Sequence, residues 1–129
     1  MVSVSIELTN PVRTIVRFSL AGEWTWEEYA RAREEFRTVY DREPGRVDLI
    51  VDLSASATVP INALSHTRQA LSRAHPRLGD VLIVGDDYLR VLLTVFQKMH
   101  PGLGGRLTYV PSLDEARQML VPDGEQMEE

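Results

Sequence analysis

The sequence predicts a single α/β domain. Its expected core is a mixed, mainly parallel β-sheet of about five strands, opened by an N-terminal hairpin and interleaved with about four helices. Three observations lead there. Two alternating apolar/polar stretches stand next to each other at the start of the chain. Two unbroken apolar runs follow, Leu49-Ile50-Val51 and Val81-Leu82-Ile83-Val84, as expected for strands covered on both faces. Segments of helical periodicity separate them, and strands separated by helices pair in parallel through right-handed crossovers. A chain of 129 residues, 43% apolar and 26% charged, has the size and composition of one ordinary globular domain.

Val2, Val4, Ile6 and Leu8 alternate with Ser3, Ser5 and Glu7, which predicts a strand with one buried face. Thr9-Asn10-Pro11 supplies the turn, because Asn tolerates the left-handed region and Pro fixes φ. Thr14, Val16, Phe18 and Leu20 then alternate with Arg13, Arg17 and Ser19, completing an antiparallel hairpin. Ile15 falls on the polar side, so that side is expected to be partly covered.

Thr25 and Glu28 have the spacing of a capping box, with Trp24 and Tyr29 placed as its hydrophobic staple. The helix they open should span residues 26–41, turn Trp26, Tyr29, Ala30, Phe36 and Tyr40 inward, and stop at Glu43-Pro44-Gly45. These aromatics read as core anchors, with ligand stacking by Trp24 or Trp26 as the alternative. After the central strand at residues 47–53, Pro60 suits the first turn of a second helix, along which Ile61, Leu64, Leu71 and Ala74 repeat. Pro76 ends it.

Asp86 or Asp87 caps a third helix. Leu89, Leu92, Leu93, Phe96 and Met99 make its core stripe, while Tyr88, Val91 and Val95 form a second stripe beside it. So wide an apolar arc predicts a covering surface, either an intramolecular neighbour or a second copy of the chain. The run from His100 to Gly105 is a helix stop, and Arg106-Leu107-Thr108-Tyr109-Val110 is the last strand. Ser112 caps a final helix with Leu113, Ala116, Met119 and Leu120 inward. Residues 1–121 thus form the domain, and the acidic stretch 122–129 is expected to be a disordered tail.

Charge and motifs narrow the function classes. A net charge of −5 argues against a nucleic-acid-binding surface. No apolar run approaches a membrane span, and the opening residues lack a secretory pattern, so the cytoplasm is the expected compartment. Without cysteine there is neither a disulfide nor a thiolate metal site. His66, His75 and His100 lack a second ligand at metal-binding spacing, and no cofactor is expected. Gly102-Leu103-Gly104-Gly105 follows a helix and precedes a strand, the reverse of a phosphate cradle. No Gly-x-Ser-x-Gly elbow surrounds Ser54, Ser56 or Ser65. Asp86-Asp87 reads as helix capping rather than an acid–base pair. Asp52, at the end of a strand, invites a phosphoacceptor reading, but the acidic pair after the first strand and the Lys after the last are both missing.

At Val51-Asp52-Leu53-Ser54, followed by a short turn and a helix carrying Ile61 and Leu64, the chain resembles the STAS family of anti-sigma-factor antagonists. The hairpin start, the element order and the closing helix agree with it over residues 2–120. The resemblance implies a regulatory, non-enzymatic domain that binds a protein partner, such as a kinase or an anti-sigma-like regulator. The contact would be made by the turn after the central strand and the start of the next helix, through Ser54, Ser56, Thr58, Asn62 and Ser65. One departure matters. The regulatory pattern has Asp-Ser-Ser-Gly where this chain has Pro60-Ile61-Asn62-Ala63. Asn62 stands at the phosphoserine position and cannot carry phosphate, so the standard phosphoswitch is not expected.

Two alternatives stay open. Surplus apolar residues, Trp24 with Tyr88, Val91 and Val95, would suit a small-molecule or lipid-binding domain, or a homodimer through the last three. A hydrolase-like enzyme using His66 or His100 with a nearby acid is the remaining alternative.

Overall fold

In the computed structural model, which describes residues 1–10 and 12–121, the chain forms an α/β domain with a five-stranded mixed sheet and five helices. The strands are β1 (Val2–Thr9), β2 (Arg13–Leu20), β3 (Arg46–Asp52), β4 (Leu78–Val84) and β5 (Leu107–Val110). They lie side by side in chain order, with β1 antiparallel to β2 and every later pair parallel. The helices are α1 (Trp26–Arg42), α2 (Ala63–Ser72), α3 (Asp87–Met99), the single turn α4 (Pro101–Gly104) and α5 (Leu113–Leu120). The expected tail at 122–129 and Pro11 of the expected turn lie outside the described residues.

Successive crossovers of one hand to the next strand along leave their helices on one face. Accordingly α1, α2 and α3 share a face, packing Phe36, Leu71, Leu93 and Phe96 against Val16, Phe18, Leu49, Val81 and Leu107. The other face carries α5, whose Ala116 and Leu120 meet Leu8, Ile15, Ile50, Leu82, Val84 and Val110. Both faces of β3 and β4 are therefore covered, which is why those strands are unbroken apolar runs, and Ile15 is buried at 2% exposure as its position on the polar side required.

The hairpin departs from a simple alternation. The β1/β2 register slips between Ile6 and Leu8, so Glu7 is a bulge and Leu8 crosses to the α5 face. Ile6 is left exposed, against the single buried face expected for β1. The carboxylate of Glu7 then reaches Arg17 at 3.3 Å and Arg117 of α5 at 2.9 Å, tying the bulge to the last helix.

Helix α1 begins as expected. The Thr25 hydroxyl accepts from the Glu28 N–H at 3.2 Å, and the Glu28 carboxylate accepts from the Thr25 N–H at 3.1 Å. Its buried residues are Ala32, Phe36, Val39 and Tyr40; Ala30, expected inward, is exposed because Ala32 takes the core position. Asp86, rather than Asp87, caps α3 by accepting from the Leu89 N–H. The stop at residues 100–105 contains the extra turn α4.

Several further residues differ from expectation. Ile61 precedes α2 and is exposed, while Ala74 follows the helix. Met99 lies on the same outer stripe as Val91 and Val95 and is exposed. Met119 is exposed because the i, i+4 pair Ala116 and Leu120 makes the inward stripe of α5.

At the amino ends of the parallel strands sits a buried carboxylate that the strand pattern does not announce. Asp48 is fully buried, and its Oδ1 accepts from Arg46 Nε and from the Asp80 N–H, both at 2.8 Å. Arg13 Nη1 stands 3.7 Å from Oδ2. The β3/β4 register shifts here, and the carboxylate takes over a backbone donor of β4. Gly79 is required beside it, because a Cβ there would collide with the Arg46 and Asp48 side chains. The hydrogen bond to Asp48 raises the pKa of Arg46 further.

Candidate functional site

Two features lie where β2 and β3 end: an exposed turn, and a cleft between α1 and α2. The turn follows Asp52, whose Oδ1 accepts from the Ser54 N–H at 3.0 Å and from its hydroxyl at 2.5 Å. Asp52 thus organises the turn, in keeping with Asx-turn chemistry. Gly22, at φ +63°, lies alongside Ser56 in an isolated parallel bridge: the Gly22 N–H donates to the Ala55 carbonyl, and the Ala57 N–H to the Gly22 carbonyl, each at 2.8 Å.

Two indoles strap this turn to the start of α1. Trp24 Nε1 donates to the Ser56 hydroxyl at 2.8 Å, which in turn donates to the Thr58 carbonyl at 3.0 Å. Trp26 Nε1 donates to the Ile61 carbonyl at 2.8 Å. Asn62 ends the turn at φ +68° with no side-chain cap onto α2.

The sequence-predicted residues are therefore only partly brought together. Ser54, Thr58 and Asn62 are exposed along one turn, whereas the Ser56 hydroxyl is engaged by Trp24 and Thr58. Ser65 is exposed in the first turn of α2, whose opposite side faces the cleft. Tyr88, Val91 and Val95 lie elsewhere, on α3, exposed by 63%, 52% and 42%. Among the described residues no element covers them; the sequence left a neighbour in the chain or a second copy as the two possible covers.

The cleft is the larger feature, a cavity of about 530 Å³. Its floor is the sheet, at Phe18, Leu49, Val51, Val81, Ile83 and Leu107. Helix α1 contributes Tyr29, Phe36 and Tyr40 to one wall. The α2 wall is built of small residues, Ala63, Thr67 and Ala70, continued by Ala74 just beyond the helix. They recur every three or four positions and so line one side of the helix. Only Leu71 of α2 is fully buried, and that leaves the space.

Trp24, Trp26, Val59 and His66 border the end of the cleft nearest the turn, with the Trp26 and His66 rings stacked at 4.0 Å. Arg33, Arg37, Arg73, Asp41 and His75 border the rest. His75 stacks on Tyr40 at 3.9 Å, and its Nδ1 accepts from the Arg77 N–H. Arg77 in turn donates to the carbonyls of Tyr40, Glu43 and Gly45, fastening the end of α1.

Burial pushes the Tyr40 hydroxyl up to about 12, with Arg77 and Arg106 offsetting part of the effect, and no hydrogen-bond partner for it exists among the described residues. Burial raises Tyr29 as well, with Arg33 opposing.

Sequence reasoning read Trp24 and Trp26 as core anchors, with ligand stacking as the alternative; Trp24 is in the core and Trp26 packs against it, but the cleft they border was not foreseen. Its one trace was the run Ala63, Thr67, Ala70, Ala74, small side chains at helical spacing where a packed helix would carry larger ones. Among the described residues no group of three or more His, Asp or Glu side chains is arranged to hold a metal, and no helix is long and apolar enough to cross a membrane. No model of a known protein family matches this chain, and no curated protein matches it either.

Proposed function

We propose that the chain is a non-enzymatic binding domain that takes up an apolar small molecule between α1 and α2. The cavity of about 530 Å³ over the central strands carries this reading. The cleft opens to solvent along its border of Arg37, Asp41, Arg73 and His75, all exposed, so an occupant can enter and cover the apolar floor. Its floor is almost entirely apolar and offers water few of the two to four partners an ordered water needs, so an apolar occupant suits it better. Aromatic side chains along one wall supply large contact area at little entropic cost.

Native mass spectrometry of the purified protein, followed by denaturing extraction, tests the proposal. A co-purified small molecule, or stoichiometric binding of an added apolar dye that Ala70→Trp blocks, is the expected result. Bare protein that also binds no dye would reject it.

A second reading follows the resemblance to STAS domains: a regulatory module that docks a protein partner, such as a kinase or an anti-sigma-like regulator, without a serine switch. What favours it is the exposed turn at the carboxyl ends of the parallel strands, the usual place for binding in such sheets. Ile61 is 78% exposed there beside Thr58 and Asn62. Affinity capture should then recover a partner that Thr58→Arg with Asn62→Arg releases. Capture unchanged by that pair of substitutions would reject this docking site.

A further inference from the structure

We propose that the occupant of the α1/α2 cleft is a single-chain amphiphile with an anionic head, its chain along the sheet and its head at the arginine rim. The inference rests on the cleft reading above and names the ligand class for it. The volume speaks first. At about 30 Å³ per water-sized group, 530 Å³ holds roughly 18 such groups, which fits one alkyl chain with its head rather than two chains.

Charge speaks second. The chain as a whole is at −5, yet the residues bordering the cleft include Arg33, Arg37 and Arg73 against the single carboxylate Asp41. Arg37 is paired with Glu34 at 3.2 Å, whereas Arg33 and Arg73 make no ion pair among the described residues. Arg33 on α1 and Arg73 at the end of α2 border this apolar slot, and the planar fork of donors of a guanidinium suits a carboxylate or phosphate head.

The test titrates the full chain with sodium tetradecanoate, tetradecyl phosphate, tetradecanol and sodium decanoate, read by calorimetry and by emission of Trp24 and Trp26 at the cleft's edge. The expected result is one-to-one binding of tetradecanoate or tetradecyl phosphate at least tenfold tighter than tetradecanol. The tighter of the two anions tells a fatty-acid source from a phospholipid one. Decanoate, four methylenes shorter, should bind about two orders of magnitude more weakly, at roughly fourfold per methylene. Arg33→Gln with Arg73→Gln, both at the rim, should remove the preference for the anion while leaving tetradecanol affinity and the melting temperature unchanged. Equal affinity for alcohol and acid would overturn the anionic head yet leave the cleft reading standing. Absence of binding by all four would overturn both.

Discussion

Filling the cleft from its α2 wall gives a prediction whose sign alone is decisive. Ala70 faces the cavity in the middle of α2, and Ala70→Leu adds three carbon atoms on that side. Full burial of three methylene equivalents would contribute at most about 2.4 kcal/mol, of which roughly half applies to a position that is only partly buried. Ordering the leucine side chain takes back about 0.5 kcal/mol. The net expectation is a gain of about 0.7 kcal/mol, or about 3 °C in the melting temperature of a domain this size. The added atoms also occupy about 90 Å³, so binding of a chain-like ligand should weaken at least tenfold in the more stable protein. Urea unfolding with unchanged slope and a parallel ligand titration measure both effects. In a filled interior, three extra carbons would instead cost about 1–3 kcal/mol through overpacking. A melting temperature lowered by several degrees would show that the space is not there, and the cleft reading would go with it.

Other perturbations test other parts of the structure. Asp48→Ala removes a fully buried carboxylate and leaves the Asp80 N–H without its acceptor, while Arg46 keeps the Asp80 carboxylate, so a loss of about 1–3 kcal/mol is expected in denaturant unfolding. Asp48→Asn, which keeps an acceptor, should lose less. Tyr40 is pushed up to about 12, so the fold prefers its neutral form. Its contribution is complete below the ordinary value near 10 and should be lost, by about 2 kcal/mol, as pH rises from there towards 12. Tyr40→Phe should abolish that alkaline loss and, because the hydroxyl has no partner among the described residues, be neutral or stabilising by up to about 1 kcal/mol at pH 7. If the exposed stripe of Tyr88, Val91 and Val95 joins two copies, sedimentation at micromolar concentration should show a dimer that Val91→Asp with Val95→Asp dissociates. A monomer at all concentrations would remove that interface.

What the sequence disclosed and what it hid follow from the range of the interactions. The capping box at Thr25 and Glu28, the unbroken runs in β3 and β4 and the alternation of β2 are local patterns, and each became the expected element. The bulge at Glu7 was hidden because alternation is blind to an added residue whose partners, Arg17 and Arg117, are distant in the chain. Asp48 was hidden in the same way: a carboxylate inside a strand reads as solvent-facing until Arg13, Arg46 and the Asp80 backbone are brought around it.

At the site, the turn after Asp52 was legible from its small hydroxyl residues, and Asp52 organises it by accepting from Ser54. The cleft was not legible, since a cavity is a property of two helices and a sheet together. The sequence marks only that the α2 wall is small, not that nothing larger fills the gap from the other side.

The chain-order arrangement of the sheet bears on how the molecule comes into being. Each strand from β2 onward has its predecessor as a neighbour, so every pairing joins segments made one after the other at the ribosome, with short spans to close. One layer breaks this sequence. Among the described residues, the strip of Ile15, Ile50, Leu82, Val84 and Val110 has its cover in α5, which emerges after all five strands. A nascent or truncated chain ending before Leu113 would present that strip to its surroundings as a broad sticky face. Helix α5 is therefore the cover that keeps this strip from its surroundings.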